Sequence, residues 1–275
     1  MFKRLSRLVR QYDADHGRRV LERELRQAIA GDQLVLHYQP LASAEDGRVC
    51  GFEALVRWNH PTRGMVPPLD FIPLAEQTGL IGPLGEWVLR KACAEAASWV
   101  NPLRVAVNLS PRQLHRPDLP GLVQAVLSST GLAAHRLELE ITETALFDDL
   151  GAALDGLRRL KLLGVHVAMD DFGTGFSSLS TLHSFAFDKL KIDRSFVAAM
   201  HTDNRAAAIV RAVLGLGRSL SIPVTAEGVE TDEQLNFLRL EGCTEVQGFG
   251  IGRPAPIESH FRLLGGAPRP ALAAA

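Results

Sequence analysis

Polar residues stand at seven places in this sequence where a buried strand should end in something apolar. Glu53 sits in Gly51-Phe52-Glu53-Ala54-Leu55, Asn108 in Val105-Ala106-Val107-Asn108-Leu109, and Glu140 in Leu137-Glu138-Leu139-Glu140-Ile141. Asp170 and Asp171 follow Val167-Ala168-Met169, and Lys191 lies in Lys189-Leu190-Lys191-Ile192-Asp193. Glu227 follows Pro223-Val224-Thr225-Ala226, and Gln247 lies in the last apolar run. Any one of these fits an ordinary surface residue, but seven at the same point of successive strands form a pattern. Glu53, Glu140, Asp170, Asp171 and Glu227 gather five carboxylates, which repel one another unless cations come between them. Two divalent ions together with Lys191 supply five positive charges, matching the five carboxylates. All-oxygen donors without Cys or His favour hard ions, Mg²⁺ or Mn²⁺. Adjacent Asp170 and Asp171 let one carboxylate bridge two metals while the other serves one of them, which is what two-metal phosphoester chemistry requires.

Two further features belong near such a site. Arg57, just after the second apolar run, has the planar fork that clamps phosphate. Gly173 and Gly175 lie in Asp171-Phe172-Gly173-Thr174-Gly175-Phe176-Ser177-Ser178; a G-x-G pair is often only a turn, but beside paired aspartates it reads as a loop able to control metal binding. The nine histidines show no ligand spacing, and His37 and His166 read as core or rim residues.

A rim of this kind needs strands that all point one way. Strand candidates occupy 34–38, 49–55, 105–109, 137–141, 165–169, 189–192, 223–226 and 244–249, with helical spacing between most of them, as in Leu122, Val123, Val126 and Leu127. Eight strands alternating with helices suit a TIM-like (β/α)8 barrel better than an open sheet. Only 39–48 separates the first two strands, too little for a helical crossover, so the first strand should run antiparallel in an otherwise parallel barrel. Ser110-Pro111, Gly131, Gly164 and Thr231 with Gln234 mark helix ends. The expected organisation is a helical lead-in or linker at 1–19, the barrel at 20–265 and a disordered Gly/Pro/Ala tail at 266–275. Phe2, Leu5, Leu8, Val9 and Tyr12 share one helical face in the lead-in, and Leu21, Leu25, Ala28 and Ile29 share another.

Composition narrows the partners. Of 275 residues 46% are apolar, which excludes a disordered chain. Thirty Lys and Arg against 31 Asp and Glu give no basic excess for polymeric nucleic acid. No apolar run reaches the roughly 18 residues of a membrane span, and Met1-Phe2-Lys3-Arg4 is not followed by a secretory apolar core. Cys50, Cys93 and Cys243 form no C-x-x-C pair; they read as reduced, mostly buried thiols, hence a cytoplasmic protein.

These residues together resemble the EAL family of cyclic di-GMP phosphodiesterases. The triplet that names the family stands as Glu53-Ala54-Leu55 within EALVRWNHP (53–61). The other matching segments are HYQP (37–40), FIPLAEQTGLI (71–81), VNLSPRQL (107–114), LELEITET (137–144), DDFGTGFSSL (170–179), KLKID (189–193), AEGVE (226–230) and QGFGIGRP (247–254). The resemblance implies a catalytic set of Lys191, Glu227 and Glu53. It implies that Glu53, Asn108, Glu140 and Asp170 bind one metal, that Asp170 bridges to a second held by Asp171 and Glu227, and that Lys191 orients the attacking water. It makes Glu143 and Glu230 acids that hold the glycine loop, and Gln39, Arg57 and Gln247 contacts to cyclic di-GMP. Phe176 and Phe249 each replace a frequent Tyr, an aromatic-for-aromatic change. The implied reaction is hydrolysis of cyclic di-GMP to linear pGpG, with Ca²⁺ inhibiting because it prefers longer, looser coordination than Mg²⁺.

Other readings stay compatible with such a barrel: a cyclic di-GMP receptor that does not cleave, a protein–protein regulator with a vestigial site, or hydrolysis of another phosphodiester. Loss of a metal ligand or of Lys191 would favour the idle readings, and none is lost. The family also pairs barrels through the region after the fifth and sixth strands, here 172–200 and the helix 204–220. Phe176, Leu179, Leu182, Phe185, Phe187, Phe196 and Val197 exceed what a short crossover buries inward. An outward-facing surplus is therefore expected, and with it a two-fold homodimer abutting the loop 171–178 and coupled to the metals through Glu143 and Glu230.

Overall fold

Strand β5 (Leu137–Thr142) shows how this sequence builds its sheet. Successive side chains of a strand point to opposite faces, and here Leu137, Leu139 and Ile141 are fully buried on one face while Glu138 and Glu140, also buried, share the other. A strand buried on both faces belongs in a parallel sheet covered by helices, and the polar face must line a barrel interior where its charges find partners.

The computed structural model describes residues 17–146, 149–174 and 179–265. Most of the expected lead-in, residues 175–178 of the glycine loop, and the tail 266–275 lie outside the described residues, as do the side chains of Leu179 and Ser180. Two compact units are distinguished, one formed by Val56–Trp87 with the chain up to Val35, the other by Leu36–Leu55 with Val88 onward.

The larger unit holds the barrel. Its strands are β1 (Leu34–Ser43) and β2 (Val49–His60), both of which begin or end in the smaller unit, then β4 (Arg104–Leu109), β5, β6 (His166–Phe172), β7 (Lys189–Ile192), β8 (Val224–Ala226) and β9 (Glu245–Gln247). They follow one another as β1-β9-β8-β7-β6-β5-β4-β2, and pairing of β1 with β2 closes the ring. Pairs from β2–β4 through β8–β9 are parallel, whereas β1 meets β9 antiparallel with Leu41 opposite Gln247. The expected barrel with a reversed first strand is the one found. Helices α4 (Pro111–Leu114), α5 (Leu119–Thr130), α6 (Leu150–Leu162), α7 (Leu179–Ser184), α8 (Arg194–Ala199), α9 (Asn204–Leu220) and α10 (Asp232–Leu240) connect the strands. Ser110 caps α4 in a reciprocal box with Gln113, Gly131 ends α5 at φ 74°, and Thr231 with Gln234 forms the expected box on α10.

The smaller unit contains α1 (residues 17–30), α2 (Pro68–Thr78), the start of α3 (Ile81–Ala97) as far as Trp87, and β3 (Gly64–Val66), which pairs antiparallel with β2 at Trp58 and His60. Leu25 and Ala28 of α1 pack with Trp58, Phe71 and Leu84, and Leu21 and Ile29 flank them, so the apolar face read in the sequence is a packing face. Sequence periodicity missed β3, a three-residue strand, and stopped β2 five residues short.

One expectation needs correction. Leu182, Phe185, Phe187 and Val197 are buried within the chain, and Phe196 is half-buried. The outward apolar surplus is therefore absent at these positions: Phe185 and Phe187 meet edge to face at 4.7 Å, filling the crossover rather than a surface. Phe176 lies outside the described residues, and so does the Leu179 side chain.

Candidate active site

Because β2 and the strands from β4 to β9 all run the same way, their C-terminal ends share one rim. Lys191, on β7, is completely buried there, with Nζ 2.6 Å from Glu227, 2.8 Å from Glu140 and 3.5 Å from Asp170. Glu140 enters from β5, Asp170 and Asp171 from the end of β6, and Glu227 from just beyond β8. The register of β6 on β7 shifts between Met169 and Phe172, and Asp171 adopts a left-handed φ of 54°. Such a bulge re-aims side chains. Here it brings carboxylate oxygens of Asp170, Asp171 and Glu227 within 4.8 Å of one another.

A second group adjoins on β2, β4 and β9. Glu53 accepts from Asn108 Nδ2 on one oxygen and from Gln247 Nε2 on the other, both at 2.6 Å. Gln247 also donates to Gln39, and Gln39 to the Gly252 carbonyl.

Charge follows from this geometry. Burial alone would push the Lys191 ammonium down, but the carboxylates of Asp170, Glu140 and Glu227 outweigh it and hold Lys191 well above the usual lysine range. Burial raises Glu140 well above its ordinary value despite Lys191. Burial likewise pushes Glu227 up to about 8, with Lys191 opposing and Asp170 reinforcing, and pushes Asp171 to about 6, with Asp170 adding to it. Glu140 Oε2 faces only the Lys191 ammonium, and among the described residues Glu140 Oε1 and Gln247 Oε1 are buried without a hydrogen-bond donor. Excess negative charge and buried oxygen acceptors with room for another partner fit hard divalent cations.

The remaining expected residues are distributed as follows. Glu143 is buried in the 3-10 turn Glu143–Leu146 that follows β5. Glu230 is exposed, and its backbone N–H donates to Gln234 Oε1. Arg57 lies on the stretch of β2 that belongs to the smaller unit, where its guanidinium donates to the Val56 carbonyl.

Sequence reading missed a second charged layer, two residues earlier on the same strands. Lys189 lies 2.8 Å from Glu138 and 2.7 Å from Glu245, and Arg104 pairs with both of those acids. The signal was available: Glu138/Glu140, Lys189/Lys191 and Glu245/Gln247 are each two apart and must share a face. This layer holds two positive and two negative groups, whereas the rim layer sets five carboxylates against Lys191. Balance suits the lower layer to a structural task, and imbalance makes the upper one the candidate binding layer.

The sequence pattern of the EAL domain matches residues 22–254. An uncharacterized signaling protein of Caulobacter vibrioides is 70% identical over 247 residues, covering 90% of this chain and 30% of its own. The cyclic di-GMP phosphodiesterase NbdA of Pseudomonas aeruginosa is 46% identical over 241 residues, covering 86% of this chain and 31% of its own. This chain thus spans about a third of the length of these curated relatives. Among solved structures, the PaMucR phosphodiesterase in complex with c-di-GMP superposes with a TM-score of 0.84 at 45% identity, over 86% of this chain and 98% of that one. The EAL enzyme Bd1971 with cAMP and cyclic di-GMP bound gives 0.87 at 29% identity, over 94% and 73%. With its barrel, its ring of acids and this match, the chain belongs to the EAL domain family.

Proposed function

We propose that this chain hydrolyses cyclic di-GMP to linear pGpG with the help of two divalent ions, Mg²⁺ or Mn²⁺. The observation that carries the reading is the ring of carboxylates around fully buried Lys191 on the rim of an EAL barrel. Glu53, Asn108, Glu140 and Asp170 would hold one ion, and Asp170, Asp171 and Glu227 the other. Such ions, when bound, polarise a phosphate and acidify water. Lys191, rigid between three carboxylates, directs the attacking water at phosphorus, and Glu227 at 2.6 Å from it receives the water's proton. The water oxygen bonds to phosphorus, the bond to the 3′-oxygen breaks, and that oxygen leaves with the proton that Glu227 took from the water. Gln39, Arg57 and Gln247 serve the dinucleotide, and Glu143 and Glu230 support the glycine loop.

Several broader points accompany this reading: a cytoplasmic location, no role for polymeric nucleic acid, and a barrel at 20–265 flanked by a lead-in and a tail. Among the described residues no helix is long and apolar enough to cross a membrane. A two-fold dimer through the region after the fifth and sixth barrel strands is part of the proposal; Ala208 and Ala212 on α9 are small exposed residues one turn apart that suit close approach of a second copy.

Incubation with cyclic di-GMP and Mn²⁺ or Mg²⁺, with products separated by anion-exchange chromatography, tests the reading. pGpG is expected, and Ca²⁺ should suppress it. Tight binding without product would make the chain a receptor instead.

A further inference from the structure

Two amides and a backbone carbonyl determine how Glu53 is presented. The Gly252 carbonyl can only accept, and Gln39 Nε2 donates to it at 3.1 Å. That turns the Gln39 oxygen toward Gln247, whose Nε2 donates to it at 3.1 Å. The second hydrogen of the same nitrogen goes to Glu53 Oε2 at 2.6 Å, while Asn108 Nδ2 holds Oε1. The direction of each link follows from the first. Were the Gln39 amide reversed, oxygen would face the Gly252 oxygen and NH₂ would face NH₂, two like contacts in a place where Gln39, Gln247 and Glu53 are all buried.

The carbonyl at the origin of this chain is itself held firmly. A Cβ on Gly252 would come within 2.5 Å of the Pro40 ring, and the Gly252 N–H donates to Gly248 at 2.9 Å. A Cβ on Gly248 would lie 2.1 Å from the Val229 oxygen, so the segment after β9 is seated directly on the backbone that follows β8.

We propose that Gln39 and Gln247 are positioning residues for Glu53: the Gly252 carbonyl sets the polarity of the amide pair, and the pair holds the Glu53 carboxylate in the orientation that takes a divalent cation. The inference rests on the phosphodiesterase reading only in taking Glu53 as a metal ligand. It assigns the two glutamines work done before any dinucleotide arrives, in addition to their contacts with it.

Mn²⁺ alone is the probe, titrated calorimetrically into the full chain without dinucleotide. Gln39→Leu removes both links, and Gln39→Glu keeps an acceptor for Gln247 but sets oxygen against the Gly252 carbonyl. Both should weaken Mn²⁺ binding by about 10–100-fold, the usual effect of removing a group that orients a ligand, with melting temperatures near the wild type. Folded Gln39→Leu with wild-type Mn²⁺ affinity overturns the inference. If that variant does not fold, amide exchange in the wild-type chain decides: the Gln247 NH₂ should exchange at least ~10-fold more slowly than that of exposed Asn204, and equal rates overturn the inference. Mn²⁺ uptake by wild-type protein that leaves cyclic di-GMP uncut defeats the proposed function while the amide chain stands. No uptake by the wild type defeats the role of Glu53 and this inference with it.

Discussion

The ammonium of Lys191 answers three carboxylates at once, and each of them loses something different when it goes. Lys191→Ala should lower turnover by about 10²–10⁴-fold while cyclic di-GMP affinity changes less than ~10-fold, because the proposed mechanism has the lysine act on the water rather than on the bases. Steady-state kinetics beside equilibrium binding checks this, and a loss of affinity with unchanged turnover would reassign Lys191 to substrate holding. Asp170→Asn removes the charge shared by both proposed ions and should cut turnover by at least ~10²-fold. The lower layer makes a prediction about stability instead. Burial alone would raise the Glu245 carboxyl, but Lys189 and Arg104 outweigh it and hold it below the usual glutamate range. A carboxylate depressed by folding stabilises the protein above its unfolded pKa of about 4.3, and that contribution is lost as pH falls through the lower folded value. Burial would likewise lower Lys189, but Glu138 and Glu245 hold it above its ordinary value, so its contribution persists through neutral pH and fades only in strong alkali. Glu245→Gln should therefore cost about 3–5 kcal/mol at pH 7, by leaving Lys189 short of a partner, and should flatten the acid limb of stability. Urea unfolding between pH 3 and pH 7, about the range over which carboxylates titrate, measures both; an unchanged acid limb would place the pH dependence elsewhere.

At the scale of the element, the segment after β9 does its work by close approach. Gly248→Ala puts a methyl 2.1 Å from a backbone oxygen, so Val229 or the loop must move, and the Gly252 carbonyl moves with the loop. The variant should lose roughly 1–3 kcal/mol of stability and also bind Mn²⁺ more weakly, two effects separated by melting and titration. Thr231→Ala, at the cap of α10, should cost only about 1 kcal/mol and leave turnover alone. These elements were unequally legible in the sequence. The barrel strands were plain because parallel strands buried on both faces are runs of Val, Ile and Leu, and a Glu or Lys among them stands out. The rim acids were found for that reason. β3 was invisible because three residues carry no periodicity, and the lower layer was passed over because Glu138 and Lys189 look like partners of the polar residues beside them until a period of two is applied. The apolar run at 182–197 was misread as surface because composition alone does not say which way a phenylalanine points. The amide pair could not be read at all, since Gln39 and Gln247 are neighbours only after β1 and β9 have met.

For the molecule as a whole, assembly is tested most directly on α9. Ala208→Arg should convert the proposed dimer to monomer in analytical ultracentrifugation; monomers with full turnover and full Mn²⁺ affinity would show that pairing does not govern the site. The ring topology has a consequence in time as well as in space. β1 is made first and β9 last, yet they lie side by side, with Leu41 against Gln247 across an interval of some two hundred residues. While the chain is still emerging from the ribosome, Glu53 waits without Gln247, the barrel has an open flank, and the rim is missing a wall. Every earlier strand can be in place and the site still does not exist. On the proposed function, a chain cut before its final strand should therefore be silent toward cyclic di-GMP rather than partly active, which assay of a chain ending before Thr244 checks.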